Sequence, residues 1–143
     1  MHDIEQIAYH HQSVQLCSTA RKAMIRSYQW VQSICNKEAS SPVYGVNTGF
    51  GSLARVRIPP SQSAKLSTNL IRSHAAGLGP IADEATTRAT LLLRANALSK
   101  GVSGCRPLLV DTILEMLNKN CLPVIPMQGS CGSSGDLAPL AHL

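Results

Sequence analysis

Ser133-Ser134-Gly135 is the stretch whose residue types could do chemistry on the chain itself. It lies within Gly129-Ser130-Cys131-Gly132-Ser133-Ser134-Gly135-Asp136-Leu137-Ala138-Pro139-Leu140, a small, polar, glycine-rich segment that runs into an apolar stretch of helical character. Glycines let such a segment adopt backbone conformations closed to other residues. The amide nitrogen of Gly135, with no Cβ beside it, can approach the carbonyl carbon of Ser133. Loss of water then closes a five-membered imidazolone, and dehydration of Ser134 leaves an exocyclic methylidene. The product is an electrophile that none of the twenty side chains supplies. Asp136 is placed to cap a helix beginning near Leu137, where a carboxylate suits the positive helix end. Two other chemistries compete for the loop. A phosphate-binding loop would end in Gly-Lys-Ser/Thr, which is absent. An amidase-type serine hydrolase needs a longer Gly/Ser run and a preceding lysine. Lys119 is ten residues before Gly129, beyond a proline-flanked extended piece, and is poorly placed.

A second unusual stretch is Val43-Tyr44-Gly45-Val46-Asn47-Thr48-Gly49-Phe50-Gly51. Three glycines and an asparagine among apolar residues describe an irregular loop rather than a strand. By spacing alone, Tyr44 reads as a loop aromatic resting on a core. Ser73-His74 closes a helix candidate, and by itself a histidine there reads as a capping or core residue. His10-His11 cannot chelate a metal from one helix face, because adjacent helical side chains diverge by about 100°. The five cysteines, Cys17, Cys35, Cys105, Cys121 and Cys131, include no zinc-type Cys-x-x-Cys pair and read as free thiols of a reducing cytosol.

Gly129 to Leu140 resembles the prosthetic-group motif of the aromatic amino acid ammonia-lyases, which carry methylidene-imidazolone (MIO). The most similar branch is histidine ammonia-lyase. The family's usual cyclising triad is Ala-Ser-Gly. Ser-Ser-Gly here keeps the central Ser134 and Gly135 and changes only the substituent contributed by residue 133. Tyr44-Gly-Val-Asn-Thr-Gly-Phe-Gly is similar to the family's other signature. That resemblance implies that Tyr44 is the catalytic acid or base, with Asn47 and Asp136 supporting. It also implies that Ser73 and His74 line the pocket for the substrate's ring. Ser-His is similar to histidine-specific members, whereas phenylalanine and tyrosine lyases tend to have Phe-Leu or His-Leu. The implied reaction converts L-histidine to trans-urocanate and ammonia, with a protein-derived MIO from Ser133-Ser134-Gly135, no external cofactor and no metal. The implied assembly is a cytoplasmic homotetramer of mainly helical subunits. Members of the family are much longer, so the resemblance covers only their front. An isolated chain of this length is expected to be inactive. The alternative from another class is a non-catalytic assembly or regulatory subunit derived from a lyase.

The elements that must position these residues are helices. At 143 residues the chain has the size of one domain, 1–143, and 44% apolar against 15% charged residues reads as globular. Aromatics are 3%, so the core must rest on Leu, Ile, Val, Ala and Met. The net charge of +5 comes from scattered Lys and Arg with no basic run interleaved with aromatics, which argues against nucleic acid. No stretch approaches the roughly 20 apolar residues of a membrane span, and the N-terminus has no signal-peptide pattern. Helical spacing is predicted for Asp3–His11, for Ala20 to about Lys37 behind a Ser18 cap, for Gln62–Ser73, for Glu84–Ser99 capped by Asp83, and for Leu108–Asn118 behind Pro107. The predicted inward faces are Ala85, Ala89, Leu92, Leu93 and Ala97 in the fourth, and Leu109, Ile113, Met116 and Leu117 in the fifth. Gly77 and Gly79-Pro80 are read as a turn, and Asn120 to Met127 as extended. The fold class is therefore mainly α, with irregular Gly-rich loops and little or no sheet. Cyclisation has a direct signature: the intact chain should weigh two waters less than its sequence. A chain at full mass would contain no ring.

Overall fold

The computed structural model describes residues 2–36, 41–130 and 137–143. The described residues form six α-helices: α1 (His2–His10), α2 (Ser18–Cys35), α3 (Ser63–His74), α4 (Glu84–Ser99), α5 (Pro107–Asn118) and α6 (Leu137–His142). Two short strands, β1 (Leu78–Ile81) and β2 (Pro126–Gln128), pair antiparallel, Leu78 opposite Gln128 and Ile81 opposite Pro126, with an irregularity between. The mainly helical expectation holds. The Gly77–Pro80 region is a correction, because the turn expected there feeds a strand. Leu-Gly-Pro-Ile carries no strand signal of its own. It becomes a strand because residues some fifty positions later supply its partner.

Local chemistry explains the helix ends. Asp83 caps α4, accepting from Thr86 N at 2.7 Å. Hydrogen bonds from Thr86, the backbone N–H first, hold the Asp83 carboxyl below its ordinary range. That contribution is present above the unfolded carboxylate pKa and is lost as the pH falls through the depressed folded value. Pro107 opens α5, where its missing N–H costs nothing. The cap of α2 is one residue earlier than expected: Cys17 Sγ, not Ser18, accepts from Ala20 N at 3.5 Å.

The core lies between α2, α4 and α5 and consists of Met24, Leu91, Ala95, Leu98, Val110, Ile113, Leu114 and Leu117. Val14, Leu16, Leu92, Cys105, Leu122 and Leu143 pack around it. The expected face of α4 is corrected here, and that of α5 in part, since Ile113 and Leu117 are buried as expected. In α4 the buried residues are Thr87, Arg88, Leu91, Ala95 and Leu98, while Leu93 is half exposed. In α5 they are Val110, Ile113, Leu114 and Leu117, while Leu109 faces out. Both helices have apolar residues around most of their circumference, so spacing alone does not choose a stripe. What chooses the stripe in α4 is a charge.

Arg88 is 1% exposed. Its Nε donates to Ile7 O at 3.0 Å, and its Nη1 donates to Leu117 O at 3.1 Å and to Asn120 Oδ1 at 2.7 Å. Ile7 and Leu117 are in the last turns of α1 and α5, where carbonyls lack helical partners and the dipole is negative. Asn120 sits just past α5 with φ 51°, a conformation asparagine tolerates after a helix. Its Nδ2 donates to Glu84 Oε1 at 3.1 Å, and His11 Nε2 is 3.2 Å from the same oxygen. One guanidinium thus ties α1, α4 and α5. By comparison, the fork of Arg21 onto Asp111, Nη1 to Oδ2 at 2.9 Å, is half exposed. Solvent screening leaves such a pair little weight in stability.

Replacing Arg88 by Met keeps much of the volume and removes every donor. The Ile7 carbonyl, in a buried residue, then loses this donor, at about 1–3 kcal/mol, while the exposed Asn120 can turn its Oδ1 to water. Urea denaturation of Arg88→Met should show a loss of about 1–3 kcal/mol with an unchanged slope. A loss under about 0.5 kcal/mol would remove Arg88 from the role given to it here.

Candidate active site

The loop that carries Tyr44 folds on itself through two buried polar residues. Asn47 is 6% exposed and Thr48 1%. Asn47 Oδ1 accepts from Val43 N at 2.7 Å, and its Nδ2 donates to Ser41 O at 3.1 Å. Thr48 Oγ1 accepts from Gly45 N at 3.1 Å and donates to Gly49 O at 3.0 Å. Thr48 also forms an antiparallel bridge with Arg57, and Ile58 N donates to Asn47 O at 2.9 Å, which closes the loop's base. Cys35 at the end of α2 reaches Val46 O at 3.8 Å. That thiol is half-buried rather than buried. The turn puts Tyr44 on the outside, 63% exposed, its ring meeting Phe50 edge-on at 5.9 Å and 75°.

Ser73 and His74 are the last two residues of α3. The His74 Nδ1 is 2.9 Å from Leu70 O and 3.0 Å from Ser73 Oγ, while Ser73 Oγ donates to Leu70 O at 2.8 Å. A carbonyl only accepts, so Nδ1 carries a proton, and whenever the ring is neutral Nε2 is an acceptor. No residue of α3 is buried.

Beyond His74 the backbone runs beside both flanks of the glycine-serine segment. Gly129 has φ 127°, and a Cβ there would lie 3.3 Å from Ala76 O and from Gly77 Cα and 3.4 Å from Ala138 Cβ. On the other flank, α6 packs on α3 and on β2. Its His142 Nε2 accepts from Gly77 N at 3.0 Å. Ser133, Ser134, Gly135 and Asp136 lie outside the described residues. The flanks of 131–136 and the Ser73-His74 end of α3 are thus brought together around Ala76-Gly77. Among the described residues no hydrogen bond or ring contact joins Tyr44 to His74. His142 escaped the sequence reading. The available signal was its spacing of four from the buried Ala138, on a helix too short to show periodicity.

A helical body with this arrangement of glycine-rich loops is the ammonia-lyase and aminomutase fold. Residues 1–143 match the family model for aromatic amino acid lyases, and the chain belongs to that family. It is 47% identical over 140 residues to the histidine ammonia-lyase of Koribacter versatilis, covering 98% of this chain and 27% of that protein. The crystal structure of histidine ammonia-lyase from Trypanosoma cruzi superposes with a TM-score of 0.84 at 34% identity, over 99% of this chain and 27% of the other. Tyrosine aminomutase from Streptomyces globisporus superposes with a TM-score of 0.90 at 34% identity, over 99% of this chain and 26% of the other. The chain therefore spans about 27% of the length of the curated relative it matches.

Asn47 makes a test of the loop. Asn47→Ala removes the acceptor of the Val43 N–H and should speed its amide exchange by about tenfold, the worth of one net hydrogen bond. Asn47→Asp keeps that acceptor and should keep the protection. Equal exchange in all three proteins would show that the side chain does not close the loop.

Proposed function

We propose that this chain is the front portion of a histidine ammonia-lyase, which eliminates ammonia from L-histidine to give trans-urocanate. The observation that carries the reading is the convergence of Ser73-His74 and both flanks of 131–136 on Ala76-Gly77, in a chain whose sequence relatives include histidine ammonia-lyase. The Gly129 cradle supports an MIO group from Ser133-Ser134-Gly135. Any side chain at 129 would press on Ala76 O and Ala138, so the entry to the segment is fitted to glycine. When formed, that group supplies the electrophile that makes loss of the amine feasible.

The other roles belong to side chains. The difficult proton is on the substrate Cβ, and Tyr44 is the group proposed to take it. Its loop is braced by Asn47 and Thr48, so the phenol stands on a scaffold of buried hydrogen bonds. His74, its Nδ1 tied to Leu70 O, offers the Nε2 lone pair to the N–H of a substrate imidazole. An apolar aromatic substrate would leave that lone pair unsatisfied, and this is the basis for preferring histidine.

No hydrogen bond or ring contact among the described residues joins Tyr44 to His74, and the chain exposes large apolar residues such as Leu78, Leu108 and Val102. This favours a site completed by the further length its relatives possess and by other subunits of a homo-oligomer. The 143-residue chain by itself is then inactive. A non-catalytic assembly subunit remains the second reading, favoured by the exposure of Tyr44. Among the described residues no helix is long and apolar enough to cross a membrane. A cytoplasmic location is part of the proposal.

In the protein at the length of its relatives, Tyr44→Phe should lose about 10²–10⁴-fold in turnover while substrate binding stays nearly intact. Ser134→Ala should abolish the ring's near-ultraviolet absorbance, because no hydroxyl remains to leave. Ser133→Ala should be tolerated, since that residue contributes a carbonyl and a substituent. His74→Leu should shift preference toward an apolar aromatic amino acid. Full turnover in Tyr44→Phe, or retained absorbance in Ser134→Ala, would sink the mechanism.

A further inference from the structure

The described half of the site holds a histidine to which the reading above gives no role. His142, the last residue of α6, lies 65 positions from Gly77 in sequence and accepts its backbone N–H at 3.0 Å. The seat is close: a Cβ on Gly77 would lie 2.9 Å from His142 Nε2, 3.1 Å from its Cδ2 and 3.0 Å from Pro126 Cβ. Residue 77 therefore has no room for a side chain while the imidazole is in place. An N–H can only donate, so Nε2 must be unprotonated and the ring neutral with its proton on Nδ1. Three residues before Gly77 is His74, and one residue before it is Ala76, whose carbonyl borders Gly129.

We propose that His142 is a positioning residue. By accepting from Gly77, it pins the flank that follows 131–136 to the backbone that follows Ser73-His74. It thereby sets the spacing between His74 and α6, the helix that follows 131–136. The consequence for catalysis rests on the lyase reading; the bond and its effect on His74 do not. A hydrogen bond from one helix to a neighbouring turn is a better spacer than apolar contact, because it fixes direction as well as distance. The flank has little else of that kind: α6 buries only Ala138 completely.

The test uses the 143-residue chain labelled with nitrogen-15. His142 Nε2 should show the chemical shift of an unprotonated ring nitrogen at neutral pH. His142→Phe, which keeps a planar ring and loses the acceptor, should speed exchange of the Gly77 amide by about tenfold or more. It should also move the His74 ring resonances, with helix content unchanged and the urea midpoint lowered by no more than one hydrogen bond accounts for. His142→Gln, whose amide oxygen reaches the position of Nε2, should restore both. A protonated Nε2 in the parent would overturn the proposal. So would equal Gly77 exchange in parent and His142→Phe, faster exchange with His74 unmoved, or His142→Gln behaving like Phe. If His142→Phe does not fold, the parent and His142→Gln still decide, since the proposal requires both to protect Gly77 and to share one His74 spectrum. The mass deficit of two waters is read on the same sample. A chain at full mass with the Gly77 bond intact would count against the ring and leave the positioning role standing.

Discussion

A single buried guanidinium holds the helical body together. Taking Arg88 out of water is costly, and the cost is offset only because the chain presents helix-end carbonyls and an asparagine oxygen at the right distances. Each acceptor has its own need. Ile7 and Leu117 sit where helices run out of internal donors, and Asn120, exposed and at φ 51° just past α5, offers its Oδ1 to the guanidinium. Apolar packing of Leu91, Ala95, Val110 and Ile113 supplies most of the burial. Arg88 decides which face of α4 receives it.

The site-bearing half is built on another principle. Neither α3 nor β1 buries a residue, and their placement comes from backbone proximity: Gly77 against His142 and Gly129 against Ala76. Glycines allow chains to come within contact distance where any side chain would push them apart. Such joints are directional but are not driven by much burial. They suit a region that has to receive a substrate and that, in the proposal above, gains further cover from the rest of a longer protein.

How much of this was legible follows the same division. Helix ends were readable because caps are local: Asp83 and Pro107 announce themselves within four residues. The Cys17 cap was missed by one residue because a thiol is a weak acceptor and Ser18 looked better. The face of α4 was misread and that of α5 only half read, through Ile113 and Leu117, because both helices are apolar on more than one side, and a buried arginine is the last residue that composition would place inside. The strand at Leu78 was illegible because its partner is distant in sequence. At the site, motif resemblance singled out Tyr44, Asn47, Ser73 and His74. The structure adds what holds them: Asn47 closing its loop and His74 tied to Leu70. The His142–Gly77 bond had no motif to betray it.

The Arg88 clamp also has a meaning in time. Ile7 is synthesised 81 residues before the arginine that satisfies its carbonyl. At about 5–20 residues per second that is roughly 4–16 s, and Leu117 follows 29 residues later still. A helix of nine residues is not stable alone in water. On a ribosome, α1 must therefore wait as solvated chain until α4 and α5 have emerged. Helix α1, made before the other described helices, is locked only when they have emerged, and nascent chains stalled before residue 120 would leave it open to proteases.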